Sequence, residues 1–331
     1  MIRIAASSVA FSVAASVLVA CGEPGDASGE TDASPPAVEA RWAAMEIPAS
    51  PPLAAVWVAS PRLAFAVGQG GVILEFDGAA WSRVESPTGR DLVGLWGSGV
   101  QRTWAITVDG AVLARDAGVW RIARPGDGQP LRAICGRDAS DVWALGDAGH
   151  ALRTVGEGFM PVEVVLPDRL DGLFIDALGR GALLGRDAGG ALVGAAYDAA
   201  VGWGPPAPVS GGSGLVATDL WGNESGALFA TALTGDGRGA LLALNAGALV
   251  PLVGDLEAPA AVFPLADTVL VGDGERIVAV EFGAGAGTEA RTSIVEAEAL
   301  GAPVADIQGA AGLVLAVGGA LEGRIWRRAA P

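Results

Sequence analysis

His150 is the only histidine in the chain of 331 residues, so any imidazole chemistry has to run through it. A zinc site needs further nitrogen or sulfur ligands, and the only thiols are Cys21 and Cys135. Serine hydrolysis needs an exposed nucleophile, and no Gly-x-Ser-x-Gly elbow occurs. The glycine clusters Gly283-Ala284-Gly285-Ala286-Gly287 and Gly235-Asp236-Gly237-Arg238-Gly239 match neither a dinucleotide fingerprint nor a P-loop, and they predict turns. No Asp-x-Asp-x-Asp-Gly calcium loop is present. The 37 acids supply many pairs of carboxylates, none marked out by position. The sequence therefore predicts no catalytic residue, no metal and no cofactor.

The elements that would hold these residues follow from a repeat. Leu53, Leu92, Leu131 and Leu170 are spaced 39 residues apart, and Trp57, Trp96, Cys135 and Phe174 keep the same period. Further columns in this register are Phe65, Trp104, Trp143; Gly71, Gly110, Gly149; Leu74, Leu113, Leu152; and Trp81, Trp120, Phe159. Within one unit, Leu53–Val58 is an apolar run and Leu63–Val67 alternates large and small side chains, the signature of a strand. Gln69-Gly70-Gly71 and Asp77-Gly78 supply turns between strands, because glycine accepts a positive φ. Four short strands in roughly 40 residues is the size of a propeller blade. Looser units start near Leu215 and Ala260, and Pro303 to Arg328 has room for only three strands. Arg41–Glu46 resembles the fourth strand Trp81–Glu85 without its blade. The expected architecture is an all-β propeller over residues 41–331, with about seven four-stranded blades and a ring closed by pairing the two chain ends.

In this repeat His150 falls in a column with Val72 and Ala111, which predicts a surface residue one step after a turn. Cys135 shares the column of Trp57 and Trp96, which predicts a small core residue. Charge is concentrated in the links from one blade to the next, at Arg90, Asp91, Arg132, Asp168, Arg169 and Asp171. These six are the candidate ligand-binding residues, on the expectation that such links gather on one face around the channel.

The repeats carried by Leu92–Trp120 and Leu131–Phe159 resemble tryptophan-rich propeller repeats of secreted bacterial proteins, of the form LxxxWG…DVWAVGDGGxILxxDGxxW. The resemblance implies the fold and an envelope or extracellular setting, and no chemistry. The Gly-His and Trp-Asp pairs of WD40 repeats and the double glycine of kelch repeats do not occur in register.

Ahead of the repeats, Arg3 followed by the apolar run Ile4–Val19 has the form of an export signal over residues 1–20. Leu18-Val19-Ala20-Cys21 resembles the lipobox of bacterial lipoproteins, which implies lipidation of Cys21. Residues 21–40 hold five acids and no base, too little apolar surface to fold, and are expected to form a disordered acidic tether. Gly22 at the position after the cysteine favours the outer membrane by resemblance to known sorting signals. Formal charge is −16, and removing residues 1–20 takes away Arg3 and no acid, leaving −17. Such a chain repels phosphate backbones, so no nucleic-acid partner is expected, and membrane contact is expected through the lipid anchor only. The function expected is a non-catalytic, monomeric envelope module that binds or scaffolds a protein or glycan partner. The rival is a carbohydrate-active lyase or hydrolase using carboxylates near the channel, and a third reading is an envelope-assembly factor.

Overall fold

A computed structural model of the chain describes residues 42–156, 158–223, 225–265, 268–283 and 291–329. The export signal, Cys21, the tether, Arg41 and positions 284–287 of the first glycine cluster lie outside the described residues. The described chain forms seven antiparallel sheets arranged as a seven-bladed β-propeller. Blade 1 runs outward through Leu53–Ser60, Leu63–Gly68, Ile73–Phe76 and Trp81–Arg83. The innermost strands of blades 2 to 7 are Leu92–Ser98, Leu131–Asp138, Arg169–Ile175, Val216–Gly222, Pro259–Pro264 and Val304–Ala310. Each touches the innermost strand of the next blade, and that of blade 7 touches that of blade 1. Blade 4 carries one additional short strand, Ala207–Pro208, on its third strand.

The sequence columns become blade-to-blade contacts. The outer-strand aromatic of one blade packs on the second-strand aromatic of the blade before it. Trp120 meets Phe65 at 5.8 Å, Phe159 meets Trp104 at 6.4 Å, and Trp203 meets Trp143 at 6.2 Å between ring centroids. The glycine column is equally explained, since Gly71, Gly110 and Gly149 have φ of 73°, 89° and 85°, where a side chain would be strained.

Blade 7 is assembled from both ends of the chain. Its inner three strands are Val304–Ala310, Leu313–Gly318 and Arg324–Arg328, and its outer strand is Trp42–Ala44. Trp42 lies opposite Arg328 and Ala44 opposite Trp326, and the Met45 N–H donates to the Ile325 carbonyl at 2.9 Å. Trp42 is buried in the cluster of Leu270 and Phe263 of blade 6.

Every innermost strand carries a register shift at the same place, between Leu53/Ala55, Leu92/Gly94, Leu131/Ala133, Leu170/Gly172, Ala217/Asp219, Pro259/Ala261 and Val304/Asp306. A bulge of this kind adds one residue and re-aims its side chain. The bulged residues in blades 3 to 5 are Arg132, Asp171 and Thr218.

Candidate functional site

The channel opens at two ends of unlike chemistry. At the end where the innermost strands finish, a cavity of about 1020 Å³ is lined by the aromatic column, Trp57, Trp96, Phe174, Trp221 and Phe263. Trp57 and Trp96 lie 5.9 Å apart, Phe174 and Trp221 5.3 Å, and Trp221 and Phe263 6.3 Å, centroid to centroid. Four of these rings lean on the glycine that follows the column position in the next blade. A Cβ at Gly97 would sit 2.5 Å from Trp57 Nε1, and one at Gly136 or Gly309 would sit 3.1 Å from Trp96 or Phe263. Gly222 is similarly covered by Phe174. Glycine is required here for close approach, which gives the Trp-Gly pair of the repeat its physical meaning.

At the contact between blades 3 and 4 both partners change. Cys135 stands where the ring would be, and Ile175 stands where glycine would be. The Ile175 N–H donates to Cys135 Sγ at 3.2 Å. Burial pushes the Cys135 thiol up to about 12, so at neutral pH it is a packed thiol and not a nucleophile. This agrees with the core position expected from its column.

Polar groups on the rim of this mouth are engaged with one another. Asn223 Oδ1 accepts from Ser225 Oγ at 2.6 Å and from the Ala227 N–H at 2.9 Å. Asp176 Oδ2 accepts from Arg180 Nε at 2.8 Å, and Arg137 Nε donates to Asp138 at 2.9 Å. Leu178 lies on the rim and is 72% exposed.

The opposite end is charged. A cavity of about 370 Å³ there is lined by Arg132, Arg169, Asp171, Arg186 and Thr218. Three of the six charged link residues therefore come together, two of them at bulge positions. Arg186 holds Asp171 through two hydrogen bonds of 2.9 Å, and Arg169 Nε lies 3.6 Å from the same carboxylate. Arg132 donates to Asp147 at 2.9 and 3.1 Å. The other three lie elsewhere: Arg90 pairs with Asp109 at 3.2 Å, Asp91 accepts from the Gly70 N–H at 2.8 Å, and Asp168 is exposed with its carbonyl accepting from Ala148 N–H.

Between the two cavities, two carboxylates flank the channel on the column otherwise filled by Ala55, Gly94, Ala133, Gly172 and Ala261. Asp219 Oδ2 accepts from the Val262 N–H and Asp306 Oδ2 from the Val56 N–H, each at 2.8 Å and each from the next blade. Burial pushes Asp219 up to about 6 against the hydrogen bonds of Val262 and Leu220. It pushes Asp306 up to about 7 against that of Val56, and the charge of Asp219 adds to the rise. Sequence reasoning did not single out either, because an aspartate after a strand start looks like an ordinary turn residue until the bulge fixes its place.

His150 corrects an expectation. Its side chain is 8% exposed, not on the surface, with Nε2 3.4 Å from Asp127 Oδ2 and Nδ1 3.2 Å from where a Cβ of Gly146 would stand. The missing side chain at Gly146 opens the space that the ring fills. It lines neither mouth. Among the described residues no group of three or more potential ligands is placed to hold a metal.

No protein-family profile matches the chain, and no curated protein matches it in sequence. Solved propellers match in shape. YCF48 from Cyanidioschyzon merolae is 13% identical, with a TM-score of 0.65 over 87% of this chain and 98% of that one. A structure described as YCF48 bound to D1 peptide gives 13% identity and a TM-score of 0.64 over 88% and 97%. A catalytically inactive histidine-to-alanine variant of virginiamycin B lyase from Staphylococcus aureus, with quinupristin, gives 11% and 0.68 over 87% and 99%. At such identities the likeness shows the fold alone.

Proposed function

We propose that this protein is a non-catalytic binding propeller, exported and held to the envelope by a lipid on Cys21, whose aromatic mouth docks a segment of a partner protein. One observation carries the reading. The larger cavity is walled by tryptophan and phenylalanine, and its titratable rim groups are spent on one another. Apolar walls with few free polar groups suit a side-chain anchor, as at the buried centres of protein interfaces. The peptide-bound YCF48 ring supports it by analogy of fold.

The test is site-specific photo-cross-linking in the native host. A photoreactive residue at Leu178, on the mouth, should yield a cross-linked protein adduct, and one at Val155, which is 61% exposed on the third strand of blade 3, should not. Trp57→Ala with Trp221→Ala should abolish the adduct. Equal adducts from both positions would sink the reading. The anchor is tested separately: radiolabelled palmitate should enter the wild type and not Cys21→Ser.

The carbohydrate-active alternative has the raised carboxyls of Asp219 and Asp306 in its favour. Both already serve as acceptors for backbone N–H groups of a neighbouring blade, which makes them ties between blades first. Cleavage of an envelope glycan that Asp219→Asn and Asp306→Asn each abolish would establish the alternative.

A further inference from the structure

The seventh member of the aromatic column is Gln308. It lines the larger cavity, it is only 6% exposed, and its carboxamide has no hydrogen-bond partner among the described residues. Phe263 stands before it in the ring and Trp57 after it. A carboxamide offers donors and an acceptor together, and its nitrogen and oxygen, which are not among the buried unpartnered atoms, face the cavity, where an occupant can reach them.

We propose that Gln308 is the specificity-determining residue of the mouth, taking the backbone N–H and C=O of one residue in an extended apolar segment of the partner while the flanking rings pack its side chains. The proposal rests on the reading of the mouth as a protein-docking site. In an extended chain the N–H and C=O of a single residue point to the same side, the arrangement that lets paired strands exchange two hydrogen bonds. One carboxamide satisfies that donor and that acceptor together. A sugar ring brings several hydroxyls, and two of the rim acceptors that could meet them, Asn223 Oδ1 and Asp176 Oδ2, already take hydrogen bonds from neighbouring residues. The two carboxylates along the channel, one of them Asp306 two residues earlier in the same strand, disfavour an anionic occupant.

The experiment selects short peptides by display on the full chain, with tryptophan fluorescence as the binding signal. Each backbone amide of a selected peptide is then replaced in turn by an ester, which removes one N–H. One ester position should weaken binding to the wild type by roughly 10-fold, the scale of one lost buried hydrogen-bond partner. The same ester should cost nothing on Gln308→Met, a near-isostere that should melt like the wild type. Gln308→Asn, which withdraws the amide by one methylene, should behave like Gln308→Met. Esters that cost the same on all three proteins would overturn the role of Gln308 and leave the docking site standing. Binding that survives Trp57→Ala with Trp221→Ala would overturn the docking site itself. Failure to select any peptide, or tryptophan quenching by cell-wall oligosaccharides that depends on Gln308, would overturn the peptide as occupant.

Discussion

At the scale of single residues, the contact between blades 3 and 4 is the most informative departure from the repeat. At four other contacts a ring sits on a glycine; here Cys135 sits beside Ile175, and the volume has moved from one blade to the other. Cys135→Phe alone should overpack the contact, and Ile175→Gly alone should leave a void and loosen the strand, each costing about 1–3 kcal/mol or more. The double variant rebuilds the arrangement of Phe174 and Gly222, so it should be more stable than either single one. Denaturant midpoints of the four proteins measure the coupling; additive losses would show that the two positions are independent. The aromatic columns were legible because large rings at a fixed spacing mark repeated packing and little else. Gln308 was not, because glutamine is common on surfaces and the looser seventh blade gives no spacing to align it. His150 was misplaced for a related reason: its column predicts position, and the room made by Gly146 comes from a different strand.

At the scale of elements, the bulge shared by all seven innermost strands is what the sequence did not disclose. It needs no special residue type, and Ala54, Val93, Arg132 and Asp171 occupy it alike. Its effect is to turn charged links into a lining and to bring Asp219 and Asp306 against the backbone of the next blade. Their carboxyls are raised to about 6 and about 7 from an ordinary 3.8. Between pH 4 and 7 the folded state therefore binds more protons than the unfolded chain, and this contribution to stability is lost as pH rises through the window. Asp138 has its carboxyl lowered, chiefly by hydrogen bonds from Ser140, so it titrates below the window and acts in the opposite sense. Asp219→Asn with Asp306→Asn should raise stability at pH 8 by about 1–3 kcal/mol, since a tenfold change in proton affinity is worth about 1.4 kcal/mol, and should change little near pH 4. Melting curves across this range check it, and parallel pH profiles for both proteins would show that neither group is coupled to folding.

At the scale of the whole molecule, ring closure was legible from one short segment, Arg41–Glu46, because a fourth-strand sequence without a blade needs one elsewhere. Closure satisfies the edges that an open arc would expose. Deleting residues 22–38 should leave the melting temperature unchanged. Deleting 22–48 removes the outer strand of blade 7 with its buried Trp42, and should lower stability sharply or give aggregates, measured by calorimetry and light scattering. Equal melting of the two deletions would exclude the N-terminal segment from the ring. The same split blade imposes a schedule on synthesis. Trp42–Ala44 is among the first parts of the domain to be made and Arg324–Arg328 among the last, so at roughly 5–20 residues per second the first strand waits tens of seconds for its partner. Through that interval its binding place belongs to no chain in particular. Two copies made side by side can each supply the strand that the other lacks, giving a domain-swapped pair of complete rings in which every contact is native and only the ownership of one strand has changed.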